Sequence, residues 1–276
     1  MDIDHDNQLI SYRIPVPTEF EEVFSHFYYA ENNTNAAVTK TFLPSFQTIL
    51  LFSFGCKVSL TSPHNHQIDI DKCIIVGPIK QPFEYILPIG AEILVANFKS
   101  DSLYRFFGQI LLSEFLTIHP DELSGENCFT QLWHDLKAIN SPYDKTEYIL
   151  NFCNPYLKNR EIGSDLLVNR IKVKPSLNPI KVISQETGKS ERMIQINHKK
   201  YLGYSAKEIN RYQRFLKAVG LLQDASTNSD TIDWFDIIDK CGYYDQSQLI
   251  HDFKFYINLS PTKFLEFEQD ICIASI

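Results

Sequence analysis

The chain has 276 residues, 44% of them apolar, and a formal net charge of −8. That is long enough for two domains with separate cores, and too apolar for a disordered tail. No apolar run approaches the length of a membrane span, and the acidic, polar start MDIDHDNQ is unlike a signal peptide, so a cytoplasmic protein without a membrane partner is expected.

The first hundred residues read as β-rich. Short apolar runs end at Gly or Pro: TILLFSFG at Gly55, KCIIVGP at Gly77 and Pro78, and FEYILPIG at Gly90, with EILVANF following directly. Runs of this length between turn residues, in a chain with 20 Phe and 14 Tyr, predict a small barrel or sandwich. His64 and His66 form an H-x-H pair of the kind that metal-binding cupins use. Here it lies in a polar, turn-like stretch without the accompanying Gly and Glu, which favours a solvated loop over a metal site. The six cysteines, Cys56, Cys73, Cys128, Cys153, Cys241 and Cys272, contain no C-x-x-C pair. Reduced and mostly buried thiols are expected, with no metal and no disulfide framework.

From about residue 101 the spacing becomes helical. Phe107, Ile110, Leu111, Glu114 and Phe115 fall on one helix face; Leu132, Trp133, Leu136 and Ile139 on a second; Tyr148, Ile149 and Phe152 mark a third. These helices are expected to pack on the barrel or to form a homodimer interface. The basic, polar stretch IKVKPSLN, 171–178, reads as the domain junction, and DASTNSD, 224–230, as a second loop.

Beyond the junction one plan occurs twice, about 55 residues apart. In each copy a short helix ends at a glycine, Gly188 or Gly242, where the turn needs positive φ. Asn178 and Pro179 supply a cap and first-turn proline for the first of these helices, whose inward stripe is Ile180 and Ile183; Trp234 and Ile237 are the counterparts. A second helix then starts at a new cap: Ser190 in one copy, Asp245 with Gln248 at capping-box spacing in the other. Ile194, His198 and Leu202, and likewise Leu249, Phe253 and Ile257, recur every fourth residue and predict the buried stripe. His198 is accordingly read as a core imidazole. The outward faces are then Arg192, Gln195, Ile196, Lys199 and Lys200 in the first copy, and Gln246, Ser247, Ile250, His251 and Lys254 in the second. A helix, a tight turn and a helix with a polar outer face is the plan that sets a recognition helix in the major groove of double-stranded DNA.

Charge is distributed unevenly. Residues 171–223 hold eleven cations and three acids, a net +8, whereas residues 224–276 hold three cations and ten acids, a net −7. A basic block on an acidic chain is the electrostatic footprint of a nucleic-acid binder. The first unit is therefore expected to supply most of the binding energy, and charge reversal at Lys199 and Lys200 to weaken binding and its salt dependence.

Over roughly residues 171–268 the sequence resembles the AraC/XylS family of bacterial transcription regulators. The string Gly242-Tyr-Tyr-Asp-Gln-Ser-Gln-Leu-Ile-His-Asp-Phe-Lys254, followed by Leu259-Ser260-Pro261, is similar to the family pattern G-[FY]-x-[DN]-x-S-x-[FL]-x-R-x-F-K and then G-x-[ST]-P. Gly188, Ser190, Arg192, Gly203, Tyr204 and Ser205 match in the first unit, and Arg211 to Ala218 looks like the family's linking helix. The chain departs from the pattern at Ile196 and His251, where arginine is usual, at His198 in place of a buried Phe, and at Asn258 in place of Gly. Losing both arginines weakens the commonest specific contact, arginine to guanine; Ile196 can instead touch a thymine methyl, and His251 can donate to a base or a phosphate.

The expectation is an α+β protein of two domains. Residues 1–170 form a β-barrel or cupin-like domain with packed helices from about 101. Residues 171–276 form an all-α domain of two helix-turn-helix units, about 178–203 and 231–258, joined by a linking helix. The recognition helices are about 190–202 and 245–257. The resemblance implies a transcription regulator, more usually an activator, with RNA polymerase and a small-molecule effector among its partners. The stretch from Tyr85 through Phe98-Lys99 to Phe106-Phe107-Gly108 is similar to the sensor regions of some such regulators. No G-x-S-x-G, P-loop or G-x-G-x-x-G string is present, so neither catalysis nor a cofactor is expected. Two other readings remain open: a cupin-like small-molecule binder or enzyme with a degenerate DNA-binding domain, and an interaction module acting through the middle helices.

Overall fold

The computed structural model describes residues 8–62, 67–108, 117–173, 179–227 and 232–267. Its first half holds the strands β1 (Leu9–Ile14), β2 (Phe24–Asn32), β3 (Val38–Phe42), β4 (Thr48–Phe54), β5 (Val58–Thr61), β6 (Gln67–Ile70), β7 (Cys73–Val76), β8 (Phe83–Leu87) and β9 (Glu92–Phe98). The helix α1 (Ser102–Phe107) and the two-residue strand β10 (Thr117–Ile118) follow. All pairings are antiparallel, in a six-stranded sheet ordered β1-β2-β9-β4-β7-β10 and a four-stranded sheet ordered β3-β8-β5-β6.

Side-chain alternation explains the unbroken apolar runs. In β4, Ile49 and Leu51 face the smaller sheet, joining Ile93 and Val95 of β9, Val58, Leu60 and Leu87. Leu50 and Phe52 face the other way, with Phe27, Leu94 and Ala96. A strand covered on both faces has no polar side to display, so every residue of β4 is buried. The outer cover comes from the middle helices α2 (Pro120–Ser124), α3 (Cys128–Lys137) and α4 (Pro142–Cys153). Leu132 and Leu136 of α3, with Ile149 of α4, are buried in the same cluster as Phe52. The Trp133 indole stacks on Phe54 and donates to the Ser53 carbonyl at 2.7 Å. The middle helices thus pack on the six-stranded sheet.

α1 ends at Phe107, where Gly108 takes φ +80° as its cap; the remaining residues of the helix face read from Phe107 to Phe115 lie outside the described residues, as do His64 and His66. Of the five cysteines described, all are free; Cys73, Cys153 and Cys241 are buried, whereas Cys56 is exposed. Burial pushes the Cys73 thiol up to about 12, which leaves it unreactive.

The second half is helical: α5 (Ile162–Val173), α6 (Pro179–Thr187), α7 (Glu191–Leu202), α8 (Ala206–Thr227), α9 (Trp234–Cys241), α10 (Gln246–Ile257) and α11 (Pro261–Phe267). Residues 171–173, read as the start of a loop, complete α5 instead, and Leu167 and Val168 of that helix enter the helical core. Residues 224–227, also read as loop, continue α8. Extending a helix already anchored by buried Ala218, Val219 and Leu222 adds a hydrogen bond per residue without a new nucleation step.

Among the described residues, one buried residue of the sheet half belongs to the helical core, with Leu43 and Tyr104 packed against it. Phe46 lies in the β3–β4 connection at φ +55° and is buried between Tyr212, stacked at 4.7 Å, and Tyr204, edge-on at 5.2 Å. Beside it the Tyr212 hydroxyl donates to the Pro44 carbonyl. A β-carbon on Gly203 would come within 3.2 Å of the Pro78 ring, so the end of α7 rests directly on the β7–β8 connection. Lys80 from that connection pairs with Glu208 at 2.7 Å, and Glu208 closes a capping box with Ser205 at the start of α8. The two halves are therefore joined through packed side chains at the base of the first helix pair.

Candidate nucleic-acid interface

α6 and α7 are joined by three residues, and the turn is possible because Gly188 takes φ +67°. Ser190 accepts a hydrogen bond from the Met193 N–H and so starts α7; Gly203 ends it at φ +78°. Ile194, His198 and Leu202 are buried on the inner side, with Ile180 and Ile183 of α6 in the same core. Arg192, Gln195, Ile196 and Lys199, at i, i+3, i+4 and i+7, share the outer face and are all exposed. Met193, which the sequence pattern does not single out, is 50% exposed beside Ile196 at 54%.

The second pair repeats this with different capping chemistry. Asp233 caps α9 by accepting from the N–H groups of Phe235 and Asp236, and Gly242 ends it at φ +75°. Asp245 accepts from the Gln248 N–H at 2.8 Å, and the Gln248 amide reaches back to the Tyr244 N–H at 3.2 Å. Asn258 ends α10 at φ +59°, which explains why this position tolerates a residue other than glycine: asparagine is among the few that enter the left-handed region readily. Leu249, Phe253 and Ile257 are buried; Gln246, Ser247, His251 and Lys254 are exposed, and Ile250 is half-buried. Tyr244, in the turn ahead of α10, is 89% exposed, and Phe235 on α9 is 84% exposed. Nothing in the spacing of the two units marks either aromatic as exposed.

The structure redistributes the basic block. Arg211 and Arg214 of α8 converge on Asp252 of α10, at 2.6 and 3.1 Å, and Asp252 is only 2% exposed. The Arg211 guanidinium also lies over the Phe255 ring at 4.5 Å and donates to His251 Nδ1 at 2.9 Å. These two cations hold α8 to α10. Lys200 turns toward the sheet half, over the rings of Tyr104 and Tyr201 and 4.0 Å from Glu161, which also accepts from both tyrosine hydroxyls at 2.8 Å. On the described outward faces the cations left to solvent are Arg192, Lys199 and Lys254. The acids of the second unit also have structural duties: Asp233 and Asp245 cap helices, Asp252 holds the arginines, and Asp236 pairs with Lys240 at 2.7 Å.

His198 is fully enclosed; its Nδ1 bonds the Tyr204 carbonyl at 2.7 Å, while its Nε2 has no protein partner. Burial holds its pKa below the ordinary imidazole value. A group whose folded pKa lies below its unfolded value of about 6.5 stabilises fully above that pH, and the contribution is lost as pH falls toward the folded value. His26, pushed down to about 4 by burial and then by Arg13, acts with the same sign. His198→Phe is therefore expected to flatten the loss of stability between pH 7 and 5 in urea melts, and His198→Phe with His26→Gln to flatten it further. An unchanged slope in the double variant would assign the acid loss to other groups.

Among the described residues no cluster of three or more His, Cys, Asp or Glu side chains is placed to hold a metal ion, and no helix is long and apolar enough to cross a membrane.

No family model matches the chain, and no curated relative matches it. Among solved structures it is similar to ToxT from Vibrio cholerae, with a TM-score of 0.41 and 12% identity over 94% of this chain and 97% of that one. ToxT bound to (E)-4-(8-methylnaphthalen-1-yl)but-3-enoic acid gives 0.41 and 13%, over 94% and 98%. The AraC-like transcriptional activator CuxR gives 0.20 and 10%, over 95% and 84%.

Proposed function

We propose that the chain is a sequence-specific DNA-binding transcription regulator in which α7 and α10 enter successive major grooves and the sheet half senses a signal or dimerises. One observation carries this reading. Two helix–turn–helix units, each with a capped second helix, a buried stripe and an exposed polar face, are built on a single core around α8. In this reading Gln195, Ile196, Gln246, Ser247, Ile250 and His251 face base edges, while Arg192, Lys199 and Lys254 neutralise phosphates. Double-stranded DNA is the partner; RNA polymerase, an effector and a second copy of the chain follow as further partners from the regulatory role.

The test is binding of the full chain to DNA from upstream of its own gene, as a function of salt. The full chain is required because Phe46 completes the helical core. Sequence-preferring binding with a steep salt slope is expected, and Gln195→Ala should cost about 1–3 kcal/mol at the preferred site. Binding no better than to random DNA would overturn the proposal.

The two neighbouring lysines should separate. Lys199→Glu is expected to weaken binding to all sequences and to reduce the logarithmic salt slope by about 1. Lys200→Glu should lower the thermal midpoint instead, by placing a second carboxylate beside Glu161. Equal effects of both on the salt slope would return Lys200 to the DNA-facing set.

A further inference from the structure

The outward faces of the two second helices share a composition. Each carries a glutamine and an isoleucine, Gln195 with Ile196 and Gln246 with Ile250, and the described outward residues include one arginine, Arg192. Guanine is read in the major groove by the guanidinium fork or an ammonium; adenine, with one acceptor and one donor, matches the amide of Gln; thymine offers a methyl group. Tertiary packing has withdrawn three other cations of the basic block, leaving Arg192 and Lys199 on the α7 face and Lys254 on the α10 face. Arg211 and Arg214 are held on buried Asp252, and Lys200 is held at the junction with the sheet half. What remains at the centre of the α7 face is one amide and two apolar side chains, with Met193 and Ile196 each about half in water. Neither residue belongs to a core cluster or packs against one. An apolar pair flanked by Arg192 and Lys199 has the chemistry of a surface completed by apolar groups on an otherwise anionic partner.

Resting on the DNA-binding reading above, we infer that α7 selects A·T pairs. The Gln195 amide donates to adenine N7 and accepts from its N6 amino group, and Ile196 with Met193 covers the 5-methyl groups of neighbouring thymines. Arg192 and Lys199 then hold the phosphates on either side of this strip.

The experiment selects bound duplexes from a random pool with the full chain, and then edits the selected site atom by atom. Sites rich in A·T pairs are expected under α7. Replacing a contacted thymine by deoxyuridine removes only the methyl group and should weaken wild-type binding about fourfold, the value of one buried methyl group. The same edit should leave Ile196→Ala unaffected, since its partner is already gone. Replacing the adenine by 7-deazaadenine should weaken the wild type but not Gln195→Ala. These positions are exposed, so the variants should fold, which a thermal melt checks. Selected sites with G·C pairs under α7, or a methyl effect of equal size in Ile196→Ala, would overturn the inference while leaving sequence-specific binding intact. A pool with no enriched sequence would overturn the DNA-binding reading and this inference with it.

Discussion

Asp252→Ala is expected to cost about 3 kcal/mol of folding stability, the low end of what removing one partner of a buried ion pair costs. The carboxylate is buried and receives Arg211 Nε at 2.6 Å and Arg214 Nη2 at 3.1 Å. Without it two guanidiniums on adjacent turns of α8 are left over aromatic rings, Arg211 over Phe255 and Tyr256 and Arg214 over Tyr243. The low end applies because both arginine side chains keep about a third of their surface in water. Asp252→Asn retains the shape and one acceptor but no charge, and should lose less than the alanine variant. Urea midpoints at constant slope measure both. A loss under about 1 kcal/mol for Asp252→Ala would mean that water satisfies the arginines as well as the carboxylate does.

Phe46→Ala carries the second large effect, about 3–5 kcal/mol, the usual cost of truncating a buried phenylalanine. Its ring fills the space between Tyr204 and Tyr212 and, among the described residues, is the one side chain of the sheet half fully inside the helical core. The variant should also uncouple the halves, so that a single unfolding transition becomes two. Phe46 sits at φ +55°, a region that costs a residue with a β-carbon about 1–2 kcal/mol. Phe46→Gly removes the same ring but relieves this strain, so it should be no less stable than Phe46→Ala. If glycine proved clearly worse, backbone strain at this position would be ruled out as a stored cost. A single, unshifted transition in both variants would show that the remaining contacts, Lys80 with Glu208 and Pro78 against Gly203, hold the halves together unaided.

The parts legible in the sequence are those written by local chemistry. Ser190 and Asp245 cap helices because a side-chain oxygen can satisfy a free N–H only at a helix start. Gly188 and Gly242 end helices because their φ values are positive. β4, β7 and β8 stand out as apolar runs closed by Gly or Pro, and β9 as an apolar run directly after the last of them. β2 was missed because Ser25, His26, Glu31 and Asn32 break its apolar pattern. Each is at least half-buried nonetheless, and Asn32 donates to the carbonyl groups of Leu87 and Pro88. A polar residue that becomes satisfied only across the fold looks like a loop residue in isolation.

Local sequence alone sets where the paired helices begin and end, which side of each is buried, and, Lys200 apart, which residues the outer faces carry. All of that follows from neighbours three or four positions apart on one helix. Tertiary structure alone decided which members of the basic block remain free. Arg211 and Arg214 are claimed by a carboxylate about 40 residues away, Lys200 by Tyr104 and Glu161, and the helical core is closed by Phe46, 166 positions from the Tyr212 ring it stacks on. Charge pairing and ring stacking across such separations leave no period in the chain, because the partners are far apart in sequence and adjacent only in the folded structure.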